Sequence, residues 1–209
     1  MYNLPYFKEK DQDVVIQFMR QHPFIFLTGC DKESKPVATQ VPVFIDEKEG
    51  KLFLTGHIMR QTDHHRAFEQ NNNVLAVFTS PHTYVSATWY DNPHQASTWN
   101  YISVHAKGLL RFRNENFLVD VLRRLTLHYE NNNSGSSTIF DNLPEDYRNM
   151  LMKAIIPFEM EITEIDNVFK LSQNHNEKTY HNIIEKLEGG DGKFIAEEMK
   201  KRTSQLFNS

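Results

Sequence analysis

Arg60 is the residue of this sequence best suited by its surroundings to hold an anion. It follows the apolar run Leu52-Phe53-Leu54-Thr55, which reads as a strand, and the pair Gly56-His57, which is expected to break that strand. Gln61 comes next, then Thr62 as a helix N-cap and Asp63 in the first helical turn. A cation at a helix N-terminus opposes the macrodipole, so the helix itself gives Arg60 no stabilisation there. An anion changes that balance, because the guanidinium and the unpaired N–H groups of the first turn converge on it. A glycine beside it lets a ligand approach the main chain closely. The plain alternative for any lone arginine is a solvated surface side chain.

Other chemistries find less support. The ten histidines include His57, His64, His65, His82, His94 and His105. No pair stands four apart on one helix beside a carboxylate, as a zinc protease site requires. His64 and His65 are neighbours and face different sides of a helix. No metal site is therefore expected, although a haem needs only one axial histidine. Ser86, Ser103 and Ser172 lack a nucleophile elbow, so no catalytic residue is assigned. Gly189-Gly190 follows a helical stripe and reads as its C-cap, not as a phosphate cradle. Lys200-Lys201-Arg202 reads as a solvated helix end.

The elements that must carry these groups follow from periodicity. Val14, Val15, Phe18 and Met19 mark a helix ending before Pro23, and Phe24–Thr28 reads as a buried strand. Val37 to Ile45 alternates as one strand with Pro42 at a bulge or edge, and Asp46–Gly50 turns into Leu52–Thr55. A helix over Asp63–Gln70 precedes strands at Val74–Phe78 and Tyr84–Ser86, then a polar loop with Trp89, Tyr90 and Pro93. Trp99–Arg113 reads as a long strand with a bulge at Gly108. Leu118 to Tyr129 is an amphipathic helix, and Asn131–Ser137 a linker. Pro144 opens a further helix whose buried face is Tyr147, Met150, Leu151 and Ala154. Phe158–Ile165 and Val168–Leu171 form a hairpin, and helices follow around Tyr180–Leu187 and Phe194–Lys200. About seven short strands without regular βαβ alternation give an α+β fold, an antiparallel β-barrel with flanking helices. Residues 1–209 are expected to form a single domain with a helical C-terminal region at about 176–203.

Bulk properties set limits. The 209 residues suit one large domain or one domain with a small appendage, and 39% hydrophobic with 24% charged residues is a globular composition. The net charge of −4 gives no electrostatic footprint for nucleic acid. Cys30 is the only cysteine, so there is no intrachain disulfide and no cysteine zinc site. Neither a signal peptide nor a membrane-length apolar run of about 20 residues is visible, so a cytoplasmic protein is expected.

Eight short segments together carry a family resemblance: His22-Pro23-Phe24, Ala38-Thr39-Gln40-Val41-Pro42, Gly56-His57-Ile58-Met59-Arg60, Pro81-His82-Thr83-Tyr84-Val85-Ser86, Trp89-Tyr90, Thr98-Trp99-Asn100-Tyr101, Val104-His105-Ala106-Lys107-Gly108 and Lys170-Leu171-Ser172-Gln173-Asn174. In this order and spacing the chain resembles the PaiB-type proteins, described as FMN-binding negative transcriptional regulators with a split-barrel fold. The resemblance runs from about Met1 to Met199. In the wider class, which includes pyridoxamine-phosphate oxidases and flavin reductases, the strand–Arg–helix element supplies the phosphate arginine, here Arg60. The chain departs from the family where Thr62, Asp63 and His65 replace an Asn-Pro and a Trp, which implies a weaker flavin affinity.

The resemblance implies FMN as cofactor. Its phosphate falls to Arg60 and Gln61 with Gly56 and His57, and its ring edge to Thr39, Gln40 and Val41. On the long strand, Trp99, Tyr101 and His105 should face one way and Asn100 the other, with Asn100 toward the ligand, Trp99 supporting, and His105 as either a ligand group or a satisfied strand histidine. Lys170 and Gln173 are expected to approach the cofactor; the alternative is a helix start capped by Asn174 or Asn176. Three functions remain open: a flavin-binding PaiB-type regulator, an FMN-dependent oxidoreductase on the same barrel, and a haem-binding or haem-degrading split barrel. A homodimer is expected, because split barrels place cofactor clefts between subunits. Contact with DNA is implied by the resemblance alone.

Overall fold

The computed structural model describes residues 1–92 and 94–207, so Pro93 of the polar loop lies outside the described residues. The elements are, in chain order, α1 (Gln12–Gln21), β1 (Phe24–Cys30), β2 (Pro36–Pro42), β3 (Phe44–Lys48), β4 (Lys51–Met59), α2 (Asp63–Gln70), β5 (Asn73–Thr79), β6 (Thr83–Val85), β7 (Thr98–Phe112), α3 (Glu115–Tyr129), α4 (Glu145–Ala154), β8 (Ile155–Lys170), α5 (Glu177–Glu188), α6 (Lys193–Lys200) and α7 (Thr203–Phe207). They fall into two compact units. One combines Met1–His22, Phe78–His105 and the stretch from Asp166 onward, and the other Pro23–Val77 with Ala106–Ile165.

The second unit is built on an antiparallel sheet with strand order β2-β1-β5-β7-β8-β4-β3. The sheet curls and stays open, which is the split-barrel arrangement expected of this α+β chain. Its core is made by side chains with no exposed area, Ile25, Leu27, Leu54, Ala76, Phe158 and Met160. Burying such a side chain contributes roughly 1.5–3 kcal/mol. Gly108 sits where β7 passes β8, and a methyl there would overlap the Glu161 carbonyl. In the first unit, the opening residues of β7 pair with β6 in the register Thr83↔Asn100, Tyr84↔Trp99, Val85↔Thr98. Met19, Phe169, Tyr180, Ile183 and Met199 form the core of this unit.

Several expectations need correction. Gly56-His57 does not end β4, because both residues pair with β8, as Gly56↔Phe158 and His57↔Pro157, and the ladder runs on to Met59↔Ile155. The run from Val37 to Ile45 is two strands, not one. Pro42 ends β2, and the Val43 N–H bonds out of the ladder to the Pro23 carbonyl at 2.9 Å. Phe158 to Leu171 is not a hairpin, since β8 is one strand of 16 residues. Asp166 and Asn167 are held by the N-terminal segment instead, through Lys8 Nζ at 2.6 Å and the Glu9 N–H at 2.9 Å.

Helix α4 buries none of its residues; Tyr147, Met150 and Leu151 are exposed. Their spacing is helical, but a stripe records only that a face is apolar, not that the chain covers it. Pro144 occupies the cap position and precedes the helix. Arg202 is not solvated: it is buried, donates to Glu198 Oε2 at 2.9 Å and Glu9 Oε2 at 3.2 Å, and lies over the Phe169 ring.

Candidate functional site

Arg60 leaves the end of β4 held at two points. Its N–H donates to the Ala154 carbonyl and its Nε to the Ile155 carbonyl, each at 2.8 Å. The side chain is thereby aimed from the α4–β8 junction, and its terminal nitrogens have no ion-pair partner among the described residues. Arg60 lines a cavity of about 460 Å³ together with Glu115, Asn149, Met152 and Lys153. Two cations against one carboxylate leave a positive balance there.

The turn behind Arg60 is as the sequence indicates. Thr62 caps α2, its Oγ1 accepting the His65 N–H at 3.3 Å. Gln61 adopts φ of 62°, a left-handed conformation unusual for a side chain of its type. Its N–H donates to His65 Nδ1 at 3.2 Å. That bond needs the proton on Nε2, and burial holds the imidazole below its ordinary value, with Glu69 pulling the other way and Arg60 reinforcing the burial. His65 therefore supports the Arg60–Gln61 turn in its neutral form.

The other residues expected at a cofactor lie variously. Gly56 is buried, and the space a Cβ would need is taken by the Phe158 ring and the Pro42 carbonyl, each at 3.0 Å. Packing within the sheet accounts for this glycine. His57 is half-buried, its Nδ1 enclosed without a hydrogen-bond partner, and burial lowers its pKa. Val41 is in the core, Thr39 is half-buried and Gln40 is exposed on the outermost strand, β2. All these belong to the second unit.

Trp99, Asn100, His105, Lys170 and Gln173 belong to the first unit. The alternation expected on β7 holds, with Asn100 fully buried, Trp99 exposed, and Tyr101 and His105 half-buried. Trp99 packs against the rings of His82 and Tyr84, with centroids 5.6 Å away in each case. Gln173 spends its amide on the main chain, accepting from the Leu171 N–H at 2.8 Å and donating to the Phe169 carbonyl at 2.5 Å. Asn176, not Asn174, caps α5. Lys170 and Asn100 line a cavity of about 260 Å³ in this unit, together with Tyr6, Phe7, Tyr90 and His175.

Sequence reasoning did not assign three of these residues to a site. His175 directly follows the Lys170–Asn174 segment and could have been read with it. Tyr90 stands in the Trp89-Tyr90 segment of the resemblance, but was given no role, and Lys153 carries no local signal, because only the fold brings it to a cavity.

Comparison with known proteins agrees with this architecture. Residues 1–164 match the family described as "Putative FMN-binding domain". The chain is 30% identical over 203 residues to the protease synthase and sporulation protein PAI 2 of Bacillus subtilis, covering 96% of this chain and 97% of that protein. It is 26% identical to the uncharacterized protein AN0679 of Emericella nidulans, covering 93% and 94% of the two chains. Among solved structures, the FAD and heme binding protein of Mycobacterium smegmatis superposes with a TM-score of 0.53 at 12% identity, over 78% of this chain and 73% of that one. That likeness concerns the fold alone. With a match across its first 164 residues and a near full-length relative, this chain belongs to the "Putative FMN-binding domain" family and is a homologue of the PaiB-type proteins.

Proposed function

We propose that this protein binds FMN, with the phosphate held by Arg60 and Lys153, and that it acts as a cytoplasmic, homodimeric PaiB-type regulator. The observation that carries this reading is Arg60, fixed through Nε to the Ile155 carbonyl, with no ion-pair partner for its terminal nitrogens among the described residues, beside a cavity of about 460 Å³. A phosphate dianion would take charge-assisted bonds from the guanidinium and the Lys153 ammonium. Glu115 on the same wall opposes the anion and tempers its affinity. His57 lies on β4, the strand that leads to Arg60, with its Nδ1 enclosed and without a hydrogen-bond partner among the described residues. Thr39, Gln40 and Val41 offer β2 main-chain groups and one amide. When bound, the flavin would supply the redox chemistry, and the protein would bind and orient it.

Apolar side chains left exposed support the homodimer: Phe24 and Phe26 on β1, and Tyr147, Met150 and Leu151 on α4. The regulatory role rests on kinship with the PaiB type. With a net charge of −4, an indirect effect on transcription fits better than a large DNA-binding face. The absorption spectrum of freshly purified protein tests the cofactor: flavin bands support this reading, and a Soret band replaces it with the haem alternative. Sedimentation equilibrium showing only monomer at micromolar concentration would remove the homodimer.

A further inference from the structure

The cavity of about 260 Å³ in the first unit shares no lining residue with the Arg60 cavity, and two of its groups have unmet chemistry. Lys170 extends from the end of β8, and its Nζ donates to Thr98 Oγ1 and, at 2.7 Å, to the Trp99 carbonyl. Both partners are neutral. Lys170 has no carboxylate partner among the described residues, although its charge is half-buried. Asp91, the acid next to Tyr90 in sequence, is taken by Lys178. Tyr90 is 6% exposed, and its hydroxyl is enclosed without a hydrogen-bond partner among the described residues. His175 packs against Tyr90, with ring centroids 4.4 Å apart and the planes tilted by 43°.

A cation without a counter-ion and a phenol without an acceptor are both costly to bury, and one ligand can relieve both costs. We propose that this cavity is a second ligand site, for a small aromatic or apolar monocarboxylate whose oxygens take hydrogen bonds from Lys170 Nζ and Tyr90 Oη. Its body rests against Tyr6 and Phe7. The volume lies just below the range of ordinary small-molecule pockets, so it suits a ligand much smaller than a flavin. The charge argues for a monoanion. Burial and the nearby Lys170 hold His175 below its ordinary pKa, which leaves Lys170 as the one cation among these groups. A phosphate dianion would be left half-neutralised.

The test is calorimetric titration of FMN-saturated protein with benzoate, acetate and inorganic phosphate, using wild type, Lys170→Met and Tyr90→Phe. Benzoate should bind wild type more tightly than acetate or phosphate does. Loss of a charge-assisted bond should weaken benzoate roughly tenfold or more in Lys170→Met. Tyr90→Phe removes only an unpaired hydroxyl, so it should fold at least as stably as wild type while losing benzoate affinity about threefold to tenfold. Unchanged benzoate affinity in Tyr90→Phe would overturn the proposal, as would phosphate binding more tightly than benzoate. A loss of FMN affinity in Lys170→Met, together with benzoate binding only to FMN-free protein, would also overturn it and assign the cavity to the flavin. Because FMN loading is read separately from its absorption, failure of this site does not count against FMN binding at Arg60.

Discussion

Asn100 and Ser172, 72 residues apart, exchange hydrogen bonds in the interior of the first unit. Asn100 Nδ2 donates to Ser172 Oγ at 2.9 Å, with Ser172 Oγ in turn 3.0 Å from Asn100 Oδ1. Both are buried, and Ser172 holds φ at 65°. The pair ties β7 to the turn that follows β8, and that turn positions Lys170 and His175.

Removing both members should therefore cost less than the two single removals added together. Asn100→Leu or Ser172→Ala alone strands a buried polar partner and should destabilise by about 1–3 kcal/mol. The double substitution should cost less than the sum of the two. Urea denaturation of the four proteins of the cycle checks this, and strict additivity would show that the two side chains are not coupled.

Arg60→Ala should weaken FMN far more than riboflavin, which lacks the phosphate. A charge-assisted contact contributes about 1.5–3 kcal/mol, so FMN affinity should fall roughly tenfold to a hundredfold. Fluorescence titration with both flavins measures the difference. Equal losses would take Arg60 out of the phosphate site.

Gln173→Ala should lower the melting temperature of the flavin-free protein and leave flavin affinity intact. The sequence suggests the reverse for a cleft residue, but both ends of this amide are bound to the main chain of its own turn. The expected cost is about 1–2 kcal/mol. A fall in FMN affinity with unchanged melting would return Gln173 to the site.

Stability should decline as pH falls below about 6.5. His57, His65 and His175 all have folded-state pKa values lowered, chiefly by burial. Below the unfolded value the unfolded chain binds more protons than the native one, so stability is full above it and is lost toward the folded values. Melting temperatures of the flavin-free protein from pH 8 to pH 5 should show this slope, and His65→Phe should flatten it. A flat profile in wild type would show that these imidazoles are not held neutral.

How far the sequence could be read depended on the range of the interaction. The Thr62 cap, the stripe of α5 and the alternation of β7 are local patterns, set by hydrogen bonds and side-chain direction within a few residues. They were legible, as was the order of segments that marks the family. Whether Gly56 ended a strand was not legible, because the answer lay with Phe158 across the ladder. Nor did the stripe of α4 reveal that its face stays exposed among the described residues. The sequence by itself determined the elements, their order and an arginine suited to an anion. Only the tertiary structure decided that Ile155 holds Arg60 at a cavity it lines together with Lys153, that Gln173 serves its own turn, and that Tyr90, Lys170 and His175 meet around one cavity. The reason is physical: periodicity and capping act along the chain, whereas burial, unmet hydrogen bonds and missing counter-ions are set by whatever distant residues the fold brings alongside.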